Sequence, residues 1–406
     1  MRRVRLDECK PLGEETSKKL HSNLPPGGWF PALRDLSWCI TELSVLHADL
    51  FLSPHLQRIS ISAVWPWSNT GVPPAILPTL VSIISTKLPT SSLEKISVHG
   101  NHLTMPRDHF KASFSSIILR CGSSFTEYDS PVPLSNAAMD HLIHLSHLHT
   151  WRIHGPPPTY PTSSLPLVFP PLRKLTLGEG AACGWLPWLR RLEDGASTAQ
   201  CVTPLSKAKE FLEFLEIKDV SCINIGASFV STVRCFRNLV HLCVAVYCPG
   251  KDDKGQCIFE LNNDNIAELA MTLTQLKILF LGYPCSENTC LTTVACLLPI
   301  SVHCSKLEEL RIHFNTTNIV DDLRNVLEGP RFQQLCSLPR CSLAFLEAYE
   351  MPLRLHESDL ETVAKGMVDI FPSLIHCDGF GGGQWDELCG KIQDLDLERP
   401  LPVGFR

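Results

Sequence analysis

The stretch Leu307-Glu308-Glu309-Leu310-Arg311-Ile312-His313-Phe314-Asn315 decides how the chain folds. Leu307, Leu310 and Ile312 stand at offsets 0, 3 and 5, and Asn315 follows at offset 8. Leu310 and Ile312 are two apart, so both point to one face of a short strand. Asn315 lies where the chain must turn out of that strand. One copy of such a pattern can arise in any amphipathic segment. Its weight comes from recurrence.

The same spacing recurs at Leu33-x-x-Leu36-x-Trp38, Leu56-x-x-Ile59-x-Ile61 and Leu93-x-x-Ile96-x-Val98, the last continuing to Asn101-His102-Leu103. A degenerate copy is Phe125-x-x-Tyr128-x-Ser130. Leu148, Leu172, Leu212, Leu239 and Leu276 each open a further copy, as do Leu343 and Leu374 after the first stretch. Twelve cores result, with first residues from 33 to 374, a mean spacing of 31. This is the leucine-rich-repeat signature, and the spacing leaves room for one strand and one helix per unit. The predicted fold is an α/β solenoid, with a curved parallel sheet on the concave face and helices on the convex face. A single unit cannot bury its apolar side, whereas stacked units share one core.

The intervening segments read as helices. Ser135 is an N-cap for a helix entering His144. Asn262–Thr274 places Ile266, Leu269, Ala270 and Leu273 on one face. Ser358-Asp359-Leu360-Glu361 has capping-box spacing ahead of a helix toward Ile370. The predicted organisation is a poorly ordered segment over 1–28, the solenoid over 29–390 and a capping tail over 391–406. A proline-rich surface loop at Pro156–Pro171 and a charged loop tip at Pro249–Gly255 interrupt the array.

Composition narrows the function. Of the 406 residues, 44% are apolar and 19% charged, enough apolar content for an extensive core. The net charge of −6 provides no basic field for phosphate backbones, so nucleic acid is not an expected partner. The apolar runs near 75–85 and 291–302 are too short and interrupted to span a bilayer. Asp7-Glu8-Cys9-Lys10 follows the basic start where a signal peptide would have its apolar run. A cytoplasmic or nuclear protein is expected, without membrane partners. The 18 cysteines contain no C-x-x-C, and they read as small core hydrophobes. His141, His144, His147 and His149 divide between a helix and the turn after it, so they do not converge as metal ligands. The glycines at 379–383 lack the Lys-Ser/Thr of a phosphate loop and read as a turn. No catalytic motif is present, and neither cofactor nor metal is expected.

What the repeats do supply is a surface. If the apolar offsets point inward, offsets 2, 4 and 6 point out of each strand. Over the first half these include Arg58, Ser60, Ser62, Lys95, Ser97 and His99, a small and mildly basic set. Over the second half they include Phe214, Glu216, Phe280, Glu309, Arg311, His313, Phe345, Glu347 and Tyr349. Aromatics alternating with Arg and Glu have the composition of protein-binding hot spots. Those nine are the candidate protein-binding residues, and none is assigned a catalytic role. Trp65-Pro66-Trp67 is a further aromatic candidate, read as a loop anchor.

Trp29-Phe30-Pro31-Ala32-Leu33-Arg34-Asp35-Leu36, Phe169-Pro170-Pro171-Leu172-Arg173-Lys174-Leu175 and Phe371-Pro372-Ser373-Leu374 resemble the repeat region of fungal, basidiomycete-type F-box proteins with leucine-rich repeats. The resemblance covers about 29–390. It implies that the repeats select a protein substrate for a cullin-RING ubiquitin ligase, with adaptor and cullin as partners where an F-box precedes them. Residues 1–28 hold no match to an F-box opening of the form L-P-x-E-I-L, so the likeness is to the repeats only. A free-standing repeat scaffold or inhibitor is the alternative, and an enzyme of unrecognised type a remote one.

Overall fold

The computed structural model describes residues 3–6, 19, 22–23, 25, 30–40, 51–63, 86, 92–99, 107–130, 132–154, 171–178, 210–218, 225–247, 260–283, 290–335, 340–348, 353, 355–379 and 383–397. They divide between two compact units, one reaching Gly178 and the other starting at Glu210. The proline-rich loop before Pro171, the loop at 249–255, Trp65, Trp67 and Tyr349 lie outside the described residues.

The described residues of the first unit contain seven strands: β1 (Arg3–Leu6), β2 (Asp35–Ile40), β3 (Arg58–Ala63), β4 (Lys95–His99), β5 (Glu127–Asp129), β6 (Thr150–Ile153) and β7 (Lys174–Leu177). Each pairs in parallel with the next. β2 to β7 are the first six repeat cores. β1 is an addition: Arg3 to Leu6 register with Asp35 to Trp38 inside the segment expected to be poorly ordered. Among the described residues of this unit are the helices α1 (Arg107–Leu119) and α2 (Asn136–Ile143), packed on one another. Ser135 caps α2, its side chain accepting from the Ala138 N–H at 3.3 Å.

The second unit contains β8 (Phe214–Ile217), β9 (His241–Tyr247), β10 (Ile278–Tyr283), β11 (Glu309–Ile312), β12 (Phe345–Ala348) and β13 (His376–Asp378), again parallel and in chain order. Its helices are α3 (Ala227–Val233), α4 (Asn263–Thr272), α5 (Leu297–His303), α6 (Ile319–Glu328), α7 (Pro330–Leu335), α8 (Glu357–Ile370) and α9 (Gln384–Leu397). α3 packs on α4, α4 on α5, α5 on α8 and α8 on α9, while α9 closes onto β13. Both units have the strand-turn-helix architecture of an α/β leucine-rich-repeat solenoid.

The register explains the sequence pattern. In the first stretch Leu307, Leu310 and Ile312 are all at most 2% exposed. Complete burial of such side chains stabilises by roughly 1.5–3 kcal/mol each. The first leucine sits in a tight turn, its N–H donating three residues back, as from Leu307 to Cys304 O (2.9 Å) and from Leu276 to Leu273 O (3.2 Å). One residue later, a single carbonyl receives two successive N–H groups of the next repeat. Lys277 O accepts from Glu308 and Glu309 (2.8 and 3.0 Å), and Gln57 O accepts from Glu94 and Lys95. This forked bond recurs within each unit and fixes the register of β3 to β7 and of the strands that follow the first one of the second unit. Asn315 closes its strand as its position required: its N–H donates to Thr292 O (2.8 Å), and its side-chain Oδ1 accepts from the Thr317 N–H (2.9 Å).

α4 matches its expected face, and its cap is stronger than expected. Asn262 and Asn265 exchange bonds as a capping box. α8 differs. It begins at Glu357 with His356 as N-cap and no side-chain cap bond, so Ser358 lies inside the first turn. At the C-terminal end, helix α9 crosses the expected boundary at residue 391. Two glycines of the cluster before it have specific work. A side chain on Gly379 would meet the buried Trp385 ring at 2.4 Å, and Gly383 has φ of +74°, a turn conformation that favours glycine. The Gln384 side chain then ties α9 to the chain before α8: its Oε1 accepts from the Leu355 N–H (2.8 Å) and its Nε2 donates to Leu355 O (2.6 Å).

Candidate protein-binding face

Strand alternation leaves two rows of side chains on the open side of the second unit. The first is Phe214, His241, Ile278, Glu309, Phe345 and His376. The second is Glu216, Cys243, Phe280, Arg311, Glu347 and Asp378. Every member of both rows is half-buried or exposed, while Leu215, Leu242, Leu279, Leu310, Leu346 and Cys377 between them are buried. Seven of the nine candidate residues therefore lie in two adjacent rows.

The rows form three clusters. Phe214 stacks on His241, with ring centroids 4.1 Å apart and planes at 14°. Phe345 stacks on His376 at 5.2 Å and 17°. Between these stacks Arg311 organises the centre. Its Nε lies 2.6 Å from Glu309 Oε1 and its Nη1 3.2 Å from Glu347 Oε2. Its guanidinium carbon is 6.0 Å from the Phe280 ring and 5.7 Å from the Phe345 ring. A planar cation thus meets two carboxylates and two aromatic rings.

Electrostatics follow from this crowding. Burial raises the Glu347 carboxyl above its ordinary range; Arg311 opposes the shift, and Asp378 and Glu309 add to it. Burial likewise pushes the Cys243 thiol up to about 12, helped by Glu216. Such a thiol is protonated at neutral pH and unsuited to act as a nucleophile. Lys218 pairs with Glu216 at 2.9 Å beyond the end of β8.

His313 departs from expectation. It is 8% exposed rather than open on the face. Strand alternation ends at Ile312, and the next two residues both turn inward, Phe314 being 1% exposed. His313 lines an apolar concavity with Leu261, Ile266, Leu281, Leu291 and Ile312.

The corresponding rows of the first unit carry different chemistry. Asp35, Arg58, Lys95, Glu127, Thr150 and Lys174 form one, and Ser37, Ser60, Ser97 and Asp129 run along the other. Arg58 faces Asp35 (3.8 Å) and Glu94 (3.3 Å), Lys95 pairs with Glu127, and Arg152 with Asp129 at 3.0 Å. Ser97 was expected on the surface but is 1% exposed, because its short side chain does not rise past its neighbours.

The histidine run places His141 Nε2 3.0 Å from Cys121 O and His144 Nδ1 2.8 Å from Asp140 O. Each ring thus meets a different backbone carbonyl. Among the described cysteines, Cys121, Cys296, Cys304, Cys341 and Cys377 are buried, with thiols raised mainly by desolvation. No helix among the described residues is long and apolar enough to cross a membrane.

No family model and no curated protein matches this sequence. Among solved structures, the chain is similar to one from the crystal structure of the Rad7 and Elc1 complex in yeast. The identity is 13% and the TM-score 0.42, over 86% of this chain and 70% of that one. The fold assignment rests on the strand register and the buried repeat positions.

Proposed function

We propose that this chain is a non-catalytic leucine-rich-repeat module that captures another protein on the strand face of its second unit. The observation that carries this reading is the central cluster, Arg311 between Glu309 and Glu347 and against Phe280 and Phe345. Aromatic and Arg anchors, half-exposed and held in place by one another, are the composition that dominates binding energy at protein interfaces. The rigid sheet beneath them fixes their spacing before any partner arrives, which lowers the entropy lost on binding. The narrower reading, selection of a substrate for ubiquitination, is supported by the likeness of the repeat phrases to fungal F-box proteins. The test is affinity capture from cell extract with the full chain and with its Phe280→Ala/Phe345→Ala variant. A stoichiometric partner retained by the first and lost by the second, at unchanged circular dichroism, supports the binding face. Equal recovery by both overturns it. Recovery of adaptor and cullin in the same eluate supports the ligase reading, and a partner without them favours a scaffold or inhibitor.

A further inference from the structure

The binding face is most unevenly charged over its last three strands. There the two rows read Glu309, Phe345, His376 and Arg311, Glu347, Asp378. Three carboxylates stand with one guanidinium, which Glu309 and Glu347 already engage. Asp378, exposed at the end of the row, takes the N–H of Gly379 at 2.7 Å and meets no cation among the described residues. Among the described residues of these two rows, two negative charges remain beyond what Arg311 balances. Beside them stands the exposed His376, stacked on Phe345.

From this charge complementarity, and resting on the proposed binding role, we infer that the partner presents a basic segment carrying two arginines to β11–β13. Arginine suits the site better than lysine. Its planar fork bonds two carboxylate oxygens and stacks on rings, and Arg311 already shows this arrangement on the same surface. Glu347 and Asp378 are register partners on adjacent strands, about 5 Å apart. One guanidinium can bridge them while the other packs over the His376 ring. An acidic segment meets uncompensated carboxylates there and is repelled.

The test uses the full chain and a short fluorescent peptide with two arginines in a glycine–serine background, read by anisotropy. Matched peptides carry lysine or glutamate instead. The expected order is arginine tightest, then lysine, with no binding of the glutamate peptide. Glu347→Gln/Asp378→Asn should weaken the arginine peptide by about tenfold or more, and added salt should weaken it in the unsubstituted chain. Asparagine keeps the oxygen that accepts from Gly379, so circular dichroism should not change. Arginine binding no tighter than glutamate binding, or equal in the variant, overturns the inference. The binding role itself is judged separately. A captured partner retained by Glu347→Gln/Asp378→Asn but lost by Phe280→Ala/Phe345→Ala sinks only the basic-segment inference.

Discussion

The two units have cores of the same kind and differ in their faces. Beneath the strands they are interchangeable: Ile59, Ile96 and Trp151 in one occupy the same inward positions as Leu242, Leu279 and Leu310 in the other, all buried. Above the strands the first unit presents charged pairs and short hydroxyls. The second presents two aromatic–histidine stacks around an arginine. The repeat constrains only inward side chains, because those alone decide whether neighbouring units pack. Outward side chains carry no such requirement. Exposed ion pairs stabilise by at most about 1 kcal/mol, so the first face gives little to folding, and its described rows offer no apolar anchor. A ring that remains half-exposed after folding retains apolar area that a partner can still cover.

The comparison can be broken at its shared level first. Leu310→Ala in β11 and Ile96→Ala in β4 should each destabilise by about 2–5 kcal/mol in urea unfolding, since both remove fully buried side chains. A loss below about 1 kcal/mol at either site would mean that the two cores are not equivalent. The next effect separates the faces. Phe280→Ala/Phe345→Ala should weaken partner capture by about 2 kcal/mol or more, whereas Arg58→Ala/Lys95→Ala should leave it unchanged. Loss of capture in the second variant would place function on the wrong unit.

A smaller effect concerns Arg311. Arg311→Ala removes two ion pairs and two ring contacts and should lower stability by about 1 kcal/mol. Arg58→Ala should cost less than about 0.5 kcal/mol, because its partners are more open to solvent. The smallest effect is at Glu347. Its folded-state carboxyl titrates above the ordinary 4.5, so folding favours the protonated form. The penalty is absent at pH values below 4.5 and develops as pH rises through the folded-state value. Glu347→Gln should therefore leave the melting temperature unchanged or slightly raised at pH 7, with the difference vanishing in acid. A fall in melting temperature at pH 7 would show that the Arg311 attraction outweighs burial.

Much of this was legible in the sequence, for a physical reason. Each first leucine must fill the turn and the next two apolar residues must fill the strand, so all twelve spacings became strands. The outward rows follow from alternation, and Phe214, Glu216, Phe280, Glu309, Arg311, Phe345 and Glu347 are half-buried in them. Alternation misled at His313, where the strand had already ended. β1 was not visible because Arg3-Val4-Arg5-Leu6 has no leucine three residues ahead of its apolar pair. The start of α8 was misjudged because His356 caps it by backbone geometry alone. The Phe–His stacks and the row of Glu309, Glu347 and Asp378 join residues 27 to 69 apart in sequence, and only the register brings them together.

The most direct test of a binding face confined to the second unit is hydroxyl-radical footprinting of the captured complex, read by mass spectrometry. The account predicts that Phe280, Phe345 and His376 lose modification on binding, while modification at Arg58, Lys95 and Glu127 stays constant. Protection of the first unit's face, with Phe280, Phe345 and His376 as reactive as in the free chain, would contradict it.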